Sequence, residues 1–121
     1  MPDEISIIPD QLPERDFKDF FKSIYFQTKK DFSCIPFPEE INDEHHYSHA
    51  SALEQYVLNR VRHLLQSYPS MLGRILYSVD LPEASTRRKL AEDNGETEEI
   101  KLAQIILKRE AQKVWLRKTL S

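Results

Sequence analysis

Asp43-Glu44-His45-His46-Tyr47-Ser48-His49 gathers three imidazoles and two carboxylates into seven residues. Imidazole nitrogen and carboxylate oxygen are the ligands that zinc and similar ions take. If a helix begins early, His45 and His49 share a face at i and i+4, with His46 beside them and His63 a source for a fourth ligand. The order differs from the helical His-Glu-x-x-His arrangement, because no acid stands between His45 and His49 in the general-base position. Two readings compete. One is a metal site on His45, His46 and His49, which makes the chain a metal-binding helical protein or hydrolase. The other is a polar loop leading into a capped helix.

The remaining reactive groups point less directly to chemistry. Cys34 has no second cysteine for a disulfide, metal or redox motif, and its neighbours suit a small packed side chain. The acid pairs Glu39-Glu40, Asp43-Glu44, Glu92-Asp93 and Glu98-Glu99 fall at loops and helix starts, where carboxylates are normally solvated. Gly73 and Gly95 stand alone, so there is no glycine-rich phosphate loop, and no cofactor is expected. Bases gather at Arg87-Arg88-Lys89 and along Lys101, Lys108, Arg109, Lys113, Arg117 and Lys118. A basic helix can track phosphates, which makes a nucleic-acid-associated protein a third reading. The sequence pI near 5.8 argues instead for a solvated outer face.

The elements that would position these groups read as helices. Phe17, Phe20, Phe21, Ile24, Tyr25 and Phe32 follow helical spacing in a first helix that begins near Pro13. Residues 1–12 read as an extended arm and residues 33–48 as a long loop broken by Pro36 and Pro38. A second helix starts between Ser48 and Ser51, with Ser51 and Glu54 in capping-box order, and carries Leu53, Val57, Val61, Leu64 and Tyr68. A third carries Leu72, Ile75, Leu76 and Val79. Asp80 to Glu83 would cap a short fourth helix over 82–93, ended by Asn94-Gly95. The last helix, about Thr97 to Lys118, has acids at its start and bases at its end, as the helix dipole favours. Its apolar surface is broad, and Arg109 could pair with Asp80 or Glu83 across the bundle.

Composition sets the outer limits. A chain of 121 residues fits one domain. Its longest apolar runs are three residues, against the roughly 20 that span a bilayer. An acidic start without an apolar run lacks the form of a secretory leader, and a cytoplasmic location is expected. Net charge is −3 but uneven: residues 1–54 carry 12 acids and 5 bases, residues 55–121 carry 8 acids and 12 bases. Such asymmetry suits docking of an acidic surface on a basic one, within the chain or between copies.

The order Leu76-Tyr77-Ser78-Val79-Asp80 followed by Ile105-Ile106-Leu107-Lys108-Arg109-Glu110-Ala111-Gln112-Lys113 resembles a set of short bacterial all-helical proteins with no assigned activity. The likeness covers residues 58–118 and implies a compact helical fold and a bacterial source. The residues themselves predict an all-α bundle of four to five helices in one domain, with a long C-terminal helix. The leading functional expectation is a non-enzymatic protein-interaction or self-associating module, a homodimer being the default assembly. Trp115, Leu116, Leu120, Arg109, Lys113 and Arg117 are its candidate contact residues.

Overall fold

The computed structural model describes residues 7–38 and 44–120, the side chains of 44 and 45 excepted. It is all-α, with five helices: α1 Phe17–Asp31, α2 Ala50–Ser67, α3 Leu72–Val79, α4 Glu83–Ala91 and α5 Glu98–Leu120. Short 3-10 turns at Glu14–Asp16, Glu44–Tyr47 and Pro69–Met71 lead into α1, α2 and α3. Among the described residues there is no strand. Nor, among those residues, is any helix long and apolar enough to cross a membrane.

The helical stripes become the core. Ile24, Leu53, Val57, Val61, Leu64, Ile75, Leu76, Val79, Leu102 and Ile106 are fully buried. The long α5, about 34 Å at 1.5 Å per residue, is the spine against which α1, α2, α3 and α4 all pack. Lys113 meets Asp31 while Arg117 meets Gln27, so α1 and α5 run antiparallel. The expected 1–12 arm differs in its described part. Ile7 and Leu12 are buried, and Leu12 N–H closes a turn onto the Pro9 carbonyl.

Helix ends show local differences with clear causes. Pro13 lies just outside the first turn: its ring-fixed φ of −65° would fit a helix, but its ψ of 147° is extended, and its carbonyl accepts the Asp16 N–H. The structure caps α2 at His49, so Ser51 lies inside the helix and is not the cap. Asp80 closes α3 instead of starting α4. It sits in the left-handed region at φ 66°, and Leu81 N–H reaches back to the Leu76 carbonyl. Gly95 takes φ 85°, which favours glycine, but α4 has already ended at Ala91. There the Lys101 ammonium, itself buried, donates to the Leu90 carbonyl at 2.8 Å and to that of Glu92. Thr97 Oγ1 accepts the Ile100 N–H and starts α5.

Candidate functional site

The described parts of the long loop pack over one face of α2 and leave a cleft of about 480 Å³. Helical spacing in α2 places Tyr56, Asn59, Arg60, His63 and Gln66 along that face, with Arg62 at the rim. The facing wall is Phe37 and Pro38 from the loop, with His46 and Tyr47 from the 3-10 turn. Residues 39–43 join these two pieces of wall in sequence and lie outside the described residues.

Arg60 is the centre of the site. It is only 7% exposed. Its guanidinium carbon lies 3.7 Å from the Phe37 ring centre and 4.6 Å from that of Tyr56. Nη2 donates to the Tyr56 hydroxyl at 2.9 Å. The two rings hold the guanidinium through cation–π attraction and fix its plane, so polar groups meet it at its N–H edge. Behind it, Tyr25 and Tyr47 stack at 4.2 Å, and Tyr56 meets both edge-on. His63 Nε2 lies 2.9 Å from the Pro36 carbonyl. A carbonyl can only accept, so this nitrogen carries the hydrogen and ties loop to helix. At the rim, Arg62 pairs with Glu99 of α5 at 3.3 Å, and Gln66 donates to the same carboxylate at 3.1 Å. Among the described residues, every charged side chain that lines the cleft is cationic.

The expected histidine cluster is only partly brought together. His46 lines the cleft, edge-on to Tyr47. His49 is exposed at the start of α2, His63 is committed to the loop, and the side chain of His45 lies outside the described residues. Among the described residues no group of three His, Cys, Asp or Glu side chains could hold a metal ion. Cys34 packs, half-buried, against the core.

The expected contact residues of α5 separate into two sets. Arg109, Lys113 and Arg117 recur every fourth residue and turn toward the bundle. Arg109 Nε donates to the Asp80 carbonyl at 3.2 Å, with Nη2 at 4.0 Å from its carboxylate, which is the pairing the sequence suggested. Lys113 Nζ donates to Asp31 Oδ2 at 2.8 Å and to the Ser78 carbonyl at 3.0 Å. Arg117 donates to Gln27 Oε1 at 2.7 Å, and the Gln27 amide donates on to Asp31. Trp115 packs partly buried on the core, whereas Leu116 is 48% and Leu120 82% exposed.

The Lys113 group has one further member on α5. Glu110 is fully buried, and neither carboxylate oxygen has a hydrogen-bond partner, with Lys113 Nζ 3.6 Å away. Burial, then the neighbouring Asp31 carboxylate, push its pKa up to about 9 against the pull of Lys113. It is therefore neutral at pH 7, and Asp31 balances Lys113. A raised carboxyl pKa is a common mark of acid–base catalysis, but a side chain with no exposed surface offers nothing for a substrate to reach.

Arg60 was not singled out from sequence, whereas Glu110 stands out there as a polar residue of the 58–118 stretch, without a buried role. The Tyr56–Arg60 spacing of four was visible, but the aromatic partner Phe37 comes from a loop whose path no helical periodicity encodes. Comparison with family models, curated proteins and solved structures finds no match to this chain.

Proposed function

We propose that this chain is a non-enzymatic interaction module and that the loop–α2 cleft is its recognition site. The observation that supports this most is Arg60, desolvated and clamped between Phe37 and Tyr56 in an open cleft. Aromatic and arginine side chains held in well-packed pockets are the groups that concentrate binding energy at interfaces. Holding a buried guanidinium this way fixes its geometry before any partner arrives, which lowers the ordering cost of binding.

A photo-crosslinking residue in place of exposed Asn59 tests the reading, with the same residue at exposed Arg88 on α4 as control. The expected result, in cells that express the chain natively, is a discrete adduct from position 59 and none from position 88. Equal adducts from both positions, or none from either, would overturn it.

Self-association through the last turns of α5 is the second reading. It is favoured by Leu116 and Leu120, one turn apart and open to solvent. A two-fold pairing of that surface is the simplest closed assembly.

A further inference from the structure

Asn94-Gly95 caps neither of the helices it joins, since α4 ends at Ala91 and Thr97 starts α5. Both residues are exposed. The Glu96 N–H donates to Asn94 Oδ1 at 3.1 Å, which folds the carboxamide back along the chain. Among the described residues the Gly95 N–H has no hydrogen-bond partner. Gly95 sits at φ 85°, and a Cβ there would meet nothing within 4 Å, so the joint is open around its backbone.

These features suit a reaction within the chain. A backbone amide nitrogen can attack the side-chain carbonyl carbon of the preceding asparagine when it carries no hydrogen bond and no side chain crowds it. A backbone N–H on the carbonyl oxygen stabilises the negative charge that develops there, as a donor does in an oxyanion hole. Glu96 supplies that donor and Gly95 the nucleophile. Asn59, the other asparagine among the described residues, lacks the nucleophile: it lies in α2, where the Arg60 N–H belongs to the helical ladder.

We propose that Asn94 is a self-modification site and that its isoaspartyl product releases α4. The Gly95 nitrogen loses its proton to solvent and bonds to Asn94 Cγ. The bond from Cγ to Nδ2 breaks, and ammonia leaves with a proton from solvent. Water, the co-reactant, then opens the cyclic imide at either carbonyl to give aspartate or isoaspartate. Aspartate leaves the chain path as it was, keeps an oxygen for the Glu96 N–H and sets a negative charge near the start of α5, where the dipole favours it. Isoaspartate routes the chain through Cβ and lengthens it by one methylene. That change falls beside Glu92, whose carbonyl Lys101 holds, and α4 buries only Thr86 and Leu90. The helix with the least burial is the one displaced.

The test incubates the full chain at neutral pH and follows the tryptic peptide from Leu90 to Lys101 by mass, with electron-transfer fragmentation to separate aspartate from isoaspartate. A blocked peptide of residues 92–97 gives the reference rate. Asn94 in the folded chain should convert at least as fast as in that peptide, while Asn59 stays intact. Gly95→Ala and, separately, Asn94→Gln should slow conversion about tenfold or more. Both positions are exposed, and circular dichroism confirms that the variants fold. Amide hydrogen exchange of the isoaspartyl fraction should be faster in α4 than in α1 or α2, whereas Asn94→Asp should leave α4 as in the parent. Slower conversion than in the peptide, or equal conversion at Asn59, would overturn the assignment of Asn94. Unchanged exchange in the isoaspartyl fraction, or equal loosening by Asn94→Asp, would overturn the release of α4.

Discussion

At the scale of single residues, the apolar letters were legible and the buried polar ones were not. Phe20, Ile24, Val57 and Ile106 repeat at helical spacing and are buried as that spacing requires. Glu110 lies four residues from both Ile106 and Val114, on the buried stripe of α5, but nothing in that spacing says that a carboxyl held there would be neutral. Its interior setting comes from α1 and α3 packing on α5, with the Asp31 carboxylate beside it. Its burial has a thermodynamic consequence. The folded chain holds the Glu110 proton up to about pH 9, while the unfolded chain releases it near its ordinary value of 4.5. Stability from this group is therefore complete below pH 4.5 and declines as pH rises toward 9, by about 1.4 kcal/mol per pH unit at the steepest. Glu110→Gln keeps the shape and removes the titration. Urea unfolding of this variant should show a flatter pH profile between pH 5 and 9, and greater stability than the parent at pH 8. Parallel profiles for the two proteins would show that Glu110 is not held neutral.

At the scale of elements, the helices were legible from periodicity but several of their ends were not, since α2 is capped at His49 and Asp80 closes α3, and α4 is the least determined. It buries only Thr86 and Leu90, too little apolar surface to hold a nine-residue helix by packing alone. The structure supplies a grip the sequence did not suggest. Lys101 reaches back from α5 to the Leu90 and Glu92 carbonyls, capping the negative end of the helix dipole. Lys101→Met keeps most of the stem and loses the ammonium, leaving carbonyls in a buried place without a donor. The expected cost is about 1–3 kcal/mol, with amide hydrogen exchange accelerated in α4 well beyond any change in α1 or α2. Uniform acceleration across the molecule would mean that Lys101 supports the whole core and not this one element. The loop is the converse case. Pro36 and Pro38 showed that residues 33–48 leave the helical pattern, but its tether through His63 to Pro36 depends on where α2 lies in space.

At the scale of the whole molecule, the charge asymmetry has a structural meaning inside one chain. Asp31 with Lys113 and Asp80 with Arg109 link earlier acids to bases of α5, so much of the basic row is spent within the fold. That changes the argument for self-association, which had counted Arg109, Lys113 and Arg117 among free contact groups. What remains outward on α5 is Leu116 and Leu120, with Phe26 of α1 and Tyr77 of α3 also exposed. Two leucines bury far less than the roughly 800 Å² per partner of a stable interface. The pair should therefore be weak, with a dissociation constant on the order of 100 µM or above. Sedimentation equilibrium from tens of micromolar to millimolar should show a monomer at the low end and partial dimer at the high end. Leu116→Gln with Leu120→Gln, both on solvent-facing positions, should leave folding unchanged and hold the chain monomeric throughout. Dimerisation that survives both substitutions would move the contact away from α5, and dissociation by salt would make it electrostatic.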